Sequence, residues 1–131
     1  MIYLDSSAVV KLIRPEDESG ELDLWLTERA GPPFISSTLL EVEVPRSLLR
    51  LPSHDEEKLA RVMAGIGRLA VDTSVRFTAA RLRPTSLRSL DALHLASALQ
   101  FGDEVQAFVT YDKRLLDAAR AAGLPVASPG A

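Results

Sequence analysis

Five short apolar runs alternate with helix-like segments along this chain, and that alternation restricts the architecture more than any other feature. The runs are Ile2–Leu4, Phe34-Ile35, Leu69–Val71, Ala107–Tyr111 and Pro125–Ala127, mostly β-branched, aromatic or aliphatic, as buried strands are. The segments between them read as helices. Ala8–Ile13 is broken at Pro15, and a helix around Leu22–Leu26 ends near Gly31, before Pro32-Pro33. Ser36–Thr38 lead into a helix running to about Leu51, and Asp55 to about Ile66 forms another. Ser74–Leu82 is helical up to Arg83, which precedes Pro84. Ser89–Gln100 stops at Gly102, and Asp112–Ala122 ends at Gly123. Strands alternating with helices build an α/β fold around a parallel sheet. With no repeat, low-complexity tract or linker, the 131 residues read as one domain.

Composition removes several classes of function. There is no cysteine, which excludes disulfides, thiolate zinc sites and cysteine nucleophiles. No apolar run approaches the ~20 residues of a membrane span, and the N-terminus enters a strand at once, so a cytoplasmic protein without membrane contact is expected. The net charge of −3 argues against broad phosphate attraction, so contact with nucleic acid must be local. The charges are segregated. Glu16–Glu28 holds six acids and no base, whereas Thr73–Leu90 holds Arg76, Arg81, Arg83 and Arg88 and no acid. Two solvated faces would look the same. The arginine run, however, leads directly into Asp91.

Four acids fall where strands end and helices begin: Asp5, Glu43, Asp91 and Asp112. Singly, each has a structural task. Asp5 and Asp112 suit helix N-caps, and Asp91 suits the first turn of its helix. Jointly they point elsewhere, because open α/β sheets bind ligands beyond the carboxyl ends of their strands. Carboxylates about 5 Å apart at an effective dielectric near 20 repel by about 3 kcal/mol per pair. Helix dipoles offset only about 0.3–1 kcal/mol each. Such a cluster must take up protons or surround a hard cation, and oxygen ligands favour Mg²⁺ or Mn²⁺ over zinc.

Glu41 and Glu43 lie ~200° apart around a helix and cannot share a target. Thr38-Leu39-Leu40-Glu41 has capping-box spacing, which occupies Glu41 and leaves Glu43 for the site. Pro45, inside the same helix, removes a hydrogen bond and is able to re-aim either glutamate. Ser6 and Thr110 flank the acids, within reach of them or of bound water. His94 follows Asp91 by one turn and reads as a packed histidine with one bonded nitrogen rather than a general base. No nucleophile elbow, phosphate-cradling glycine loop or H-E-x-x-H occurs.

The segments MIYLDSSAVVKL, SSTLLEVEVPRSL, LRSLDALHLASAL and AFVTYDKRLLDAARAAGLPV resemble, in order and spacing, the motifs of the PIN domain, and most closely the VapC-type toxins of bacterial toxin–antitoxin pairs. The resemblance covers essentially the whole chain. It implies a three-layer α/β/α sandwich around a parallel sheet of four to five strands, and an acidic pocket holding Mg²⁺ or Mn²⁺. It also implies a homodimer and a VapB-type antitoxin folding a C-terminal segment over the pocket. The family's acids fall on Asp5, Glu43, Asp91 and Asp112, and Thr110 falls where the family often has a hydroxyl. Keeping Arg46 in its usual place also selects Glu43 over Glu41. Pro45 departs from the usual Leu-like residue.

The activity expected is metal-assisted hydrolysis of an RNA phosphodiester, leaving a 5′-phosphate as the resemblance implies. Asp5, Asp91 and Asp112 hold the ion directly or through water, Glu43 positions or deprotonates the attacking water, and Arg81, Arg83 and Arg88 border the substrate backbone. The rival is a catalytically inactive PIN-like module that engages only a protein partner. Aspartyl phosphotransfer has little support, because Ser7 stands where a haloacid-dehalogenase-like enzyme needs a second acid.

Overall fold

A computed structural model describes residues 1–131. Five parallel strands form one sheet in the order β3-β2-β1-β4-β5. They are β1 (Ile2–Leu4), β2 (Phe34–Ser37), β3 (Ile66–Leu69), β4 (Ala107–Val109) and β5 (Val126–Ala127). The helices are α1 (Ser6–Ile13), α2 (Ser19–Glu28), α3 (Leu40–Leu48), α4 (Glu56–Ala64), α5 (Thr73–Ala79), α6 (Ser89–Leu99) and α7 (Lys113–Ala121).

β1 and β4 are built of apolar and aromatic residues throughout because both of their faces are covered. Their side chains alternate between two cores. Ile2, Leu4, Ala107 and Val109 pack with Val9, Ile13, Leu22, Leu40 and Val44 from α1–α3. Tyr3 and Phe108 point the other way, against Leu95 and Ala98 of α6 and Leu115 and Ala119 of α7. The result is a three-layer α/β/α sandwich.

Sheet order also locates the functional edge. The chain builds outward from β1 through β2 to β3, then crosses to the opposite side for β4 and β5. β1 and β4 therefore flank the topological switch point, where α/β sheets open a crevice at the carboxyl ends of their strands. Asp5 ends β1, and Thr110–Asp112 end β4.

Several boundaries differ from the sequence expectation, with α3 ending at Leu48 and α5 at Ala79. The third strand is Ile66–Leu69 rather than Leu69–Val71, and α4 ends at Ala64. Ile66 is buried opposite Phe34, while Gly67 and Arg68 are tolerated because β3 pairs on one side only. The Thr38/Glu41 capping box does not form. β2 runs through Ser36 and Ser37, and the Thr38 N–H is bound to the Leu69 carbonyl of β3 at 2.9 Å. Leu39 becomes the N-cap of α3, with Ser37 Oγ accepting its N–H. Helix α3 continues through Pro45 to Leu48.

Candidate active site

Asp5 is buried at the junction of β1 and α1. As N-cap it accepts the Ala8 N–H on Oδ1 at 3.0 Å, together with the Ser7 hydroxyl at 2.6 Å. Oδ2 accepts the buried Thr110 hydroxyl. These two hydroxyls also accept in turn, Ser7 Oγ from the Tyr111 N–H (2.9 Å) and Thr110 Oγ1 from the Asp112 N–H (3.1 Å). The end of β1 is thereby tied to the turn between β4 and α7. Burial pushes the Asp5 carboxyl up from its ordinary pKa, against the opposing pull of its three hydrogen bonds. Desolvation wins that contest.

Asp112 caps α7 with Oδ1, which accepts the Leu115 N–H at 3.0 Å, and turns Oδ2 outward. Asp91 lies in the first turn of α6, where the dipole favours a negative charge. Arg88, just before that helix, reaches both: Nε lies 3.3 Å from Asp91 Oδ2 and Nη2 lies 3.1 Å from Asp112 Oδ2. Burial raises the Asp91 pKa, the Asp112 charge raises it further, and Arg88 opposes both. These two carboxylates already attract a cation.

Glu43 projects from α3 into the same space, with its Oε1 2.7 Å from His94 Nε2. His94 is buried, and its Nδ1 lies 2.8 Å from the Tyr3 hydroxyl. Both imidazole nitrogens are therefore bonded, against the single bond expected. Glu41 faces away, 3.9 Å from Arg68.

Asp5, Glu43, Asp91 and Asp112 line one cavity of about 310 Å³, together with Ser6, Ser7, Lys11, Arg14 and Arg88. No three of its carboxylate and imidazole groups converge as a ready-made metal cage. The PIN domain family model matches residues 2–121. The chain belongs to the PIN domain family. Ribonuclease VapC35 of Mycobacterium tuberculosis (strain ATCC 25618 / H37Rv) is 44% identical over 132 residues, spanning 99% of this chain and 98% of its own. Ribonuclease VapC47 of M. tuberculosis (strain CDC 1551 / Oshkosh) is 43% identical over 134 residues, 100% of this chain and 98% of its own. Ribonuclease VapC46 (strain ATCC 25618 / H37Rv) is 42% identical over 128 residues, 98% and 97% of the two chains.

Other residues of this PIN domain stand differently from the sequence reading. Ser6 lies on the cavity wall, but the hydroxyl bonded to Asp5 belongs to Ser7. Of the three arginines, Arg88 alone lines the cavity. Arg81 covers the Phe77 ring at 3.7 Å and donates to the Phe77 carbonyl, and Arg83 is exposed outside the cavity. Lys11 and Arg14, both unremarked in the sequence, bring positive charge from α1 and its C-cap. They are held by Glu18 and Glu16, each at 2.8 Å. A positive side chain at i+6 or i+9 from a catalytic-type aspartate was the available signal. It is weak, since such spacing is common in any helix.

Proposed function

We propose that this PIN domain is a VapC-type endoribonuclease, hydrolysing RNA phosphodiester bonds in an Mg²⁺- or Mn²⁺-dependent reaction. The observation that carries this reading is the cavity where Asp5, Glu43, Asp91 and Asp112 meet, the last two joined by Arg88. Its kinship with proteins named ribonuclease VapC, over nearly its whole length, supports RNA as the substrate.

The donors fit a hard divalent ion. They are carboxylate oxygens, two of them already sharing a cationic side chain, and burial raises the pKa of both Asp5 and Asp91. Mg²⁺ keeps several waters and takes few carboxylates. Asp5, Asp91 and Asp112 would hold the ion directly or through water. When bound, it supplies a lowered water pKa and positive charge against the phosphoryl oxygens.

The chain's own residues do the rest. Ser7 and Thr110 fix the Asp5 carboxylate so that it cannot swing out of the site. Glu43, tied through Oε1, keeps Oε2 for a water and accepts its proton as the water oxygen attacks phosphorus. The bond to the 3′ oxygen breaks, and that oxygen leaves as a hydroxyl after gaining a proton from solvent. The phosphate stays on the 5′ side of the downstream product. Arg88 lies at the cavity mouth, suited to a strand phosphate.

A VapB-type antitoxin segment covering the cavity and a homodimer complete the proposal. Exposed Leu24, Val42, Leu49, Phe77 and Leu90 offer apolar surface for such contacts. Purified protein free of any partner should cleave total RNA with Mn²⁺ or Mg²⁺ and stop when EDTA is added. Asp91→Asn should lose cleavage while staying folded, with a melting temperature no lower than that of the parent protein. Wild-type cleavage by Asp91→Asn, or in EDTA, contradicts the reading.

A further inference from the structure

We propose that Tyr3 and His94 are positioning residues that lock Glu43 in its working orientation through a single chain of hydrogen bonds. This rests on Glu43 being the residue that handles the attacking water. An ionised carboxylate only accepts, so the 2.7 Å contact requires the proton on His94 Nε2. A neutral ring then presents a lone pair at Nδ1, and the Tyr3 hydroxyl 2.8 Å away must donate to it. At neutral pH a phenol keeps its proton. The proton order is Tyr3 O–H to Nδ1, and Nε2–H to Glu43.

The scaffold is rigid at each link. The Tyr3 ring is stacked on Phe108, centroids 5.1 Å apart and planes 4° apart, and meets the His94 ring edge-on at 5.9 Å and 80°. Tyr3 lies on β1, His94 on α6 and Glu43 on α3, so the chain fastens a helix side chain to the middle of the sheet. With its proton already on Nε2, His94 has no lone pair facing Glu43. It cannot relieve Glu43 of the water's proton. It sets tautomer and direction only, as the buried aspartate does for the histidine of a serine-protease triad.

The tests need no metal in their first arm. Nitrogen NMR of the metal-free protein should find His94 protonated on Nε2 and bare on Nδ1. In Tyr3→Phe that preference should weaken. In the second arm, His94→Gln keeps a donor amide near Nε2 and should hold kcat within a few-fold. His94→Leu should lose roughly tenfold or more in kcat, as buried partners of site ligands do, with KM unchanged. Calorimetric Mn²⁺ affinity should not move in either. A proton on Nδ1 overturns the inference, as does wild-type kcat in both His94→Leu and Tyr3→Phe while Glu43→Gln is inactive. Should Glu43→Gln itself cleave normally, the role given to Glu43 fails instead. Where His94→Leu does not fold, the tautomer and the kcat of Tyr3→Phe decide.

Discussion

Arg88 Nη2 lies 3.1 Å from Asp112 Oδ2, across 24 positions of sequence, although the arginine side chain is 71% exposed. An exposed side chain gains little from one ion pair. Arg88 holds this pose because Asp91 and Asp112 repel each other and it serves both.

Arg88 therefore competes with any divalent ion for the same two oxygens. Arg88→Gln should bind Mn²⁺ more tightly by roughly two- to fivefold in calorimetry, the scale of exposed pairs. It should also bind RNA more weakly. Arg14→Gln removes a charge held by Glu16 instead and should change metal affinity less. Equal gains in both variants would leave only a general field effect.

The raised pKa values of Asp5 and Asp91 make the metal-free protein sensitive to pH. The folded state holds these protons more tightly than the unfolded chain does. Their stabilising contribution is complete below the unfolded carboxylate pKa and is lost as pH rises through the folded values. Melting temperature should fall from mildly acidic to neutral pH, less so in Asp91→Asn, and Mn²⁺ should recover the loss. A rise over that interval attributable to Asp91 contradicts the assignment.

Glu41 and Glu43 should separate cleanly. Glu41→Gln, facing Arg68 outside the cavity, should retain cleavage. Glu43→Gln should lose about 10²–10⁴ in kcat, the range for removing a general base. The pair of rate measurements checks which face of α3 meets the substrate.

Ser36 Oγ, close to the Tyr3 hydroxyl, is the one buried side-chain oxygen without a hydrogen-bond partner. Ser36→Ala should stabilise the protein by about 1 kcal/mol in urea unfolding, since an orphaned hydroxyl carries a desolvation penalty. A loss of stability would mean that Ser36 shares a bond with Tyr3.

What was legible from the residues was local or periodic. β1 and β4 announced themselves because burial on both faces demands unbroken apolar runs. Asp5 and Asp112 were legible as caps because a cap needs only its own next three residues. What was missed depends on distant partners. Thr38 looked like an N-cap until the Leu69 carbonyl took its N–H. The Leu69–Val71 run looked like a strand, but burial of Ile66 opposite Phe34 sets the register. Ser7 and Ser6 are indistinguishable until the turn after β4 presents the Tyr111 N–H to one of them. His94 reveals its second bond only when α3 brings Glu43 alongside α6.

Asp5 and Asp112 each fasten the opening turn of a helix with one oxygen and bond elsewhere with the other, Asp5 to Thr110 and Asp112 to Arg88. Disarming the protein and loosening its scaffold are thus coupled at the same atoms. Alanine there removes charge and anchor together, whereas asparagine keeps an acceptor for the helix and discards only the charge. Inert versions made for trapping RNA should carry the amide.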